Sequence, residues 1–269
     1  SARATTDDAL ESIGVAADAD ALAKLDVDKF VAAELSITAS GGLFTARRSF
    51  GPTLSPSLPR DPVDAVGSGS AANVDVVLGC TTHEMVSFMG TPDLWTADDA
   101  AVRERIGLML GSDADRLLES YRAARPDDSF VSLFLLLASD RFMRIPHIRY
   151  AEALVAGGSP EPRMYLFDFR MPSADGVPRA GHGTDMPYFF ANIDKSPAMD
   201  GPHAAPLTQM MSGALVALAR TGNPNHDSLP AWPAYSPTDR TTLLFDLEPS
   251  IENDPMAAER SAWDDVELG

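Results

Sequence analysis

The sequence predicts an α/β protein built on a parallel or mixed central sheet with helical insertions. Three observations carry that prediction. Val74, Val76, Val77 and Leu78 form a near-continuous aliphatic run, the pattern of a parallel strand covered on both faces. Met164 to Arg170 and Thr241 to Asp246 are two further runs with strand composition. Between the first two runs lie segments that carry the start and stop signals of helices.

The elements follow in chain order. Asp7 to about Ala33 is rich in Ala, Leu and Asp and lacks proline, and it reads as short helices over Asp7–Ile13 and Asp18–Leu25. Thr38 to Pro62 holds Gly41-Gly42, Gly51-Pro52, Pro56, Pro59 and Pro62, which predicts a surface loop. Val63 to Gly69 is a turn of helix with a flexible exit, and Asn73 to Gly79 is the first strand. Thr96-Ala97-Asp98-Asp99 caps a helix over Val102–Leu110. Ser112-Asp113-Ala114-Asp115 repeats the signal before Leu117–Ala124. Pro126-Asp127-Asp128-Ser129 opens a helix over Phe130–Phe142, and Pro146 opens one through Ala156, closed by Gly157-Gly158. After the second strand, Leu207–Arg220 is an amphipathic helix stopped by Gly222. Thr241–Asp246 is the late strand and Pro255–Val266 a terminal helix.

Composition narrows the function. Hydrophobic residues make up 45% and charged residues 22% of 269, enough for a sizeable core. The net charge of −18 has the wrong sign for a nucleic-acid partner or an anionic membrane surface. No run of eighteen or more apolar residues predicts a membrane span. Cys80 is the single cysteine, so no intrachain disulfide forms. Its flanks, Gly79 and Thr81, offer no basic group to activate a thiol, and it reads as a small core residue. No histidine pair has zinc-ligand spacing and no phosphate-binding glycine motif occurs, so neither metal nor cofactor is expected.

Two residues point to chemistry. Glu84 follows the first strand in Gly79-Cys80-Thr81-Thr82-His83-Glu84. His182 follows the second in Gly181-His182-Gly183-Thr184-Asp185-Met186-Pro187. Open α/β sheets place their sites beyond strand C-terminal ends. Nucleophilic catalysis by a serine needs an imidazole to take its proton and a carboxylate to orient the imidazole. Acid before histidine is the chain order of an α/β-hydrolase, with the serine ahead of both. No G-x-S-x-G occurs in these residues; Gly67-Ser68-Gly69-Ser70 and Ser212-Gly213 lack the spacing. On pattern alone, a catalytic pair and a solvated acid with an unrelated turn histidine stand side by side.

Several segments resemble the type-B carboxylesterase family, which includes para-nitrobenzyl-type esterases and cholinesterases. Gly79 to Met85 resembles its acid turn, "G-t-n-x-D-E-G", and Glu84 matches the triad glutamate. Asp140, Phe142 and Pro146 lie in a segment resembling its "D-x-x-F-x-x-P" helix. Gly181 to Phe190 resembles "A-x-H-G-x-E-L-P-F-V-F", and His182 matches the triad histidine. Ala219-Arg220-Thr221-Gly222-Asn223-Pro224-Asn225 with Trp232-Pro233-Ala234-Tyr235 resembles "F-A-R-T-G-D-P-N … W-P-x-Y". The resemblance runs from about Asp7 to Asp265.

The resemblance implies the C-terminal portion of a single α/β-hydrolase domain spanning residues 1–269, with the nucleophile-bearing N-terminal portion absent. It implies a carboxylic-ester hydrolase acting through an acyl-enzyme on a small-molecule ester, with Glu84 and His182 supplied here and the serine upstream. The chain's own N-terminal portion is then its partner, and the isolated chain is expected to be inactive and not a stable monomer. The family also holds silent cholinesterase-like adhesion proteins, the alternative reading. Three departures stand out. Met85 replaces a glycine and adds bulk beside the acid, His83 replaces an aspartate, and Asp185 replaces a glutamate and is the second candidate for the imidazole's carboxylate. His147 reads as a cap or pocket-wall residue, and His203 and His226 as solvent-facing. Phe130, Phe134, Leu135 and Phe142 are candidates for an apolar pocket lining, with core packing favoured.

Overall fold

The structure, a computed structural model, describes residues 2–45, 53–172 and 175–268. It divides into two compact units, Ser1–Asp61 and Pro62–Gly269. The first unit is helical, with helices Ala2–Ile13, Ala19–Leu22 and Val27–Thr45. Asp18 caps the short middle helix by accepting from the Asp20 amide at 3.0 Å. The predicted loop from Thr38 is corrected here, because residues 38–45 continue the third helix. Gly41-Gly42 costs helix stability without forbidding it, and no proline intervenes before Pro52. Residues 46–52 of that predicted loop lie outside the described residues.

The second unit holds a four-stranded mixed sheet in the order β1 (Val77–Thr81), β2 (Arg163–Phe167), β3 (Thr241–Phe245) and β4 (Ser250–Asn253). The first three are parallel and β4 is antiparallel to β3. β1 starts three residues later than the aliphatic run predicts. Val74 stands in a turn, its amide donating to Ala71 O, and its carbonyl accepts from Ser159 Oγ at 2.9 Å. β4 was invisible in sequence because a four-residue edge strand with one aliphatic residue, Ile251, has no period to read. Among the described residues no strand pairs with the outer edge of β1.

Helices cover both faces of this sheet. On one, Phe167, Leu243, Phe245 and Trp232 pack with Leu207 and Met211 of the helix Ala204–Thr221. Each such side chain withdrawn from water contributes roughly 1.5–3 kcal/mol. That helix stops at Gly222, whose φ of 75° is the left-handed conformation a glycine adopts freely. On the other face, Met164 and Leu166 line a small cavity together with Ile148 of the helix Ile145–Ala156. This helix is continuous with Phe130–Ser139 through a π-helical turn, Asp140–Arg144, so the predicted break before Pro146 is absent. Asp140, fully buried, holds that turn. It accepts from Arg144 Nε at 2.7 Å and Nη2 at 2.6 Å, and from the Tyr121 hydroxyl, which itself accepts from Trp263 Nε1 at 2.7 Å. The terminal helix is shorter than predicted, Ala257–Ser261. Beyond it the chain's carbonyls accept from arginines instead. Arg116 reaches Ala262 O, and Arg149 reaches Trp263 O and Val266 O.

The motif around Gly222 and Trp232 is structural. Asn225 accepts from the Trp232 amide at 2.7 Å and donates to its carbonyl at 2.9 Å, while the buried indole donates to Met164 O of β2. A buried tryptophan with its N–H satisfied locks the loop after the long helix onto the sheet.

Candidate active site

Glu84 and His182 meet. The turn carrying Glu84 leaves the C-terminal end of β1, and the loop carrying His182 follows β2, its parallel neighbour. Glu84 Oε2 lies 2.5 Å from His182 Nδ1, and Oε1 accepts from the Thr81 amide at 2.6 Å. The acid is 4% exposed, whereas the histidine side chain is 48% exposed. With Nδ1 held by the carboxylate, Nε2 is the nitrogen left to exchange a proton. Short hydrogen bonds to a buried carboxylate are charge-assisted and directional. They fix the tautomer as well as the orientation of the ring.

Backbone bonds set the acid turn in place. Thr82 N donates to Phe167 O at 3.0 Å, tying the turn to the end of β2. His83 N donates to Ala180 O at 2.8 Å, two residues before His182, so the two loops are joined directly. Met85 N donates to Ser139 Oγ at 3.1 Å. The histidine loop is itself a tight turn, with Thr184 Oγ1 on Gly181 O at 2.7 Å. Gly181 passes so close to the acid turn that a Cβ would meet Val86 Cγ1 at 2.8 Å and Ser87 Oγ at 3.0 Å.

The departures at this turn resolve. Met85 adopts φ −79°, ψ −3°, ordinary right-handed backbone, and its side chain is buried, so losing the glycine leaves the carboxylate on the imidazole. Among the described residues His83 has no partner for Nδ1, and burial together with Arg170 lowers its pKa to about 4, so its ring is neutral near pH 7. Asp185, the second candidate for the imidazole, instead accepts from the Tyr165 hydroxyl at 2.9 Å. Burial pushes its carboxyl above the ordinary aspartate range despite that bond. Cys80 is buried, and burial followed by the nearby Glu84 charge pushes its thiol well up, away from nucleophilic use.

The remaining sequence candidates lie elsewhere. His203 and His226 are corrected from solvent-facing to half-buried. His203 packs on Phe169 at 4.6 Å and His226 Nε2 lies 2.9 Å from Met210 O. His147 Nδ1 lies 2.7 Å from Met143 O, within the helix. Phe134 and Leu135 are core residues, and Phe130 and Phe142 carry arginine guanidinium groups on their faces. Among the described residues no cluster of His, Cys, Asp and Glu could hold a metal, and no helix is long and apolar enough to cross a membrane. Sequence reasoning missed Ser139 and the Tyr165–Asp185 bond. For neither did the sequence carry a signal, since a lone serine in an apolar helix and a tyrosine in a strand read as packing.

Comparison with known proteins identifies the family. The profile of the carboxylesterase family matches residues 11–263. A para-nitrobenzyl esterase of Bacillus subtilis is 29% identical over 217 residues, covering 78% of this chain and 42% of that protein. Phenmedipham hydrolase of Pseudarthrobacter oxydans is 27% identical over 195 residues, covering 70% and 38%. The crystal structure of a Geobacillus stearothermophilus carboxylesterase superposes with a TM-score of 0.80 at 26% identity, covering 97% of this chain and 54% of that one. The chain therefore spans about half the length of the relatives it matches.

Proposed function

The chain belongs to the carboxylesterase family and has the α/β-hydrolase fold, and from that premise we propose that it supplies the acid and base of a Ser-His-Glu triad in a carboxylic-ester hydrolase. The observation that carries the reading is the Glu84–His182 contact at 2.5 Å, beyond the ends of adjacent parallel strands. His182 Nε2 takes the proton of a serine hydroxyl as that oxygen attacks the ester carbonyl. It then returns the proton to the departing alcohol, leaving an acyl-enzyme, and repeats the cycle with water. Glu84 holds the reactive tautomer and stabilises the imidazolium that forms at each step. A binding module would need neither group, which disfavours the silent, adhesion-type reading.

The serine, on this reading, belongs to polypeptide outside these 269 residues, and this chain is the C-terminal portion of one hydrolase domain. Two features support a docking place for the remainder. The outer edge of β1 presents backbone groups that no described strand pairs. Beside it lies an apolar groove of about 220 Å³, lined by Val77, Tyr165, Met186, Phe189, Leu218 and Trp232. A small-molecule ester is the substrate class.

The test is turnover of para-nitrophenyl butyrate by the protein that contains both this chain and the serine. His182→Ala is expected to abolish it. Unchanged turnover in that variant ends the assignment.

A further inference from the structure

We propose that Ser139 is a positioning residue for the catalytic acid, an inference that rests on the function proposed above. Its hydroxyl is fully buried and fixed at both ends. It donates to Leu135 O at 2.7 Å and accepts from Met85 N at 3.1 Å. Met85 is the residue directly after Glu84. The turn is thus pinned on three sides: Thr82 N on β2, His83 N on the histidine loop, and Met85 N on Ser139. The first two bonds use backbone acceptors and survive any side-chain change. The third depends on one oxygen atom.

The place of that oxygen is itself rigid. Ser139 is the last residue before the π-helical turn Asp140–Arg144. A π turn inserted in a helix shifts the phase of the residues that follow. The Asp140 carboxylate, with Arg144 on both oxygens and the Tyr121 hydroxyl also donating, locks this one. A fully satisfied buried network of this kind specifies a single arrangement. Ser139 therefore presents its lone pair to the acid turn from a fixed platform.

Without the hydroxyl, Met85 N–H loses its acceptor in a buried site. The amide then turns toward another partner, and Glu84 turns with it. A carboxylate displaced from Nδ1 holds the ring less firmly and stabilises the imidazolium less. Small misplacement of a catalytic group costs rate steeply. Ser139→Ala is therefore expected to lower kcat per titrated active site by roughly ten- to a hundredfold at unchanged KM. Ser139→Thr keeps the hydroxyl and should restore the rate. In the serine-containing protein, the downfield Nδ1 proton resonance of His182 should exchange faster in Ser139→Ala than in wild type.

Two results overturn the proposal. One is a kcat per site and a resonance both unchanged in Ser139→Ala. The other is a loss of kcat that leaves the exchange of the resonance unmoved and that Ser139→Thr does not restore, which marks a packing role. Failure of the underlying hydrolase reading looks different: there His182→Ala leaves turnover intact whatever Ser139 does.

Discussion

Replacing Glu84 by glutamine tests the pair with almost no change of shape. The glutamine amide has one oxygen and one NH2 where the carboxylate had two acceptors. Glu84 accepts from Thr81 N at 2.6 Å on one side and meets His182 Nδ1 at 2.5 Å on the other. Placing NH2 against Thr81 N–H would set donor against donor in a buried turn, at about 1–3 kcal/mol. The oxygen therefore stays on Thr81 and the NH2 faces the imidazole. Nδ1 must then accept, which moves the ring proton to Nε2. That is the wrong tautomer, because Nε2 must be free to take the serine proton. The expected loss in kcat is about 10⁴-fold, the scale for an amide in place of a triad carboxylate. It corresponds to about 5.4 kcal/mol at ~1.36 kcal/mol per tenfold. The assay is ester turnover by the serine-containing protein, with nitrogen NMR of His182 reporting the tautomer. Turnover within tenfold of wild type, or a glutamine variant with Nδ1 still protonated, refutes the reasoning.

Two further outcomes are open to measurement. The unfolded chain protonates His83 near pH 6.5, whereas the folded chain resists until about pH 4. The unfolded state thus binds more protons in that window, and stability falls as pH drops through it, by up to about 3 kcal/mol. His83→Gln should flatten this part of the pH–stability curve in urea titrations, and an unchanged difference between pH 6.5 and 4 would contradict the buried neutral ring. Asn225→Ala leaves the Trp232 amide without its acceptor and should cost about 1–3 kcal/mol in chemical denaturation, with Asn225→Asp milder. A shift below about 0.5 kcal/mol would show that the loop is held by the indole alone.

Much of the scaffold was legible because it is written in periodicity and punctuation. The aliphatic run before Gly79, the caps at Asp98 and Ser129 and the stop at Gly222 all act locally, and each marks an element in the structure. The pairing of Glu84 with His182 was legible only as chain order and as resemblance. Its geometry depends on parallel pairing of β1 with β2, which no local signal encodes. The π-helical turn was not legible, because the buried network around Asp140 draws on Tyr121 and, through it, Trp263, residues remote in sequence. Ser139 escaped for the same reason: its partner, Met85, is 54 positions away. The terminal helix was overextended because arginines take up the carbonyls that helical bonds were expected to use.

The network beneath the acid turn joins residues that are far apart along the chain, since Tyr121 and Trp263 are separated by 142 positions. During synthesis the segment bearing Glu84 is complete long before the indole that ends this network leaves the ribosome. A nascent chain that already carries Glu84 and His182 still lacks the indole that donates to the Tyr121 hydroxyl. Loss of Trp263 leaves that hydroxyl without its indole donor permanently. Completion of this network therefore waits on a residue made well after both loops that meet at Glu84 and His182.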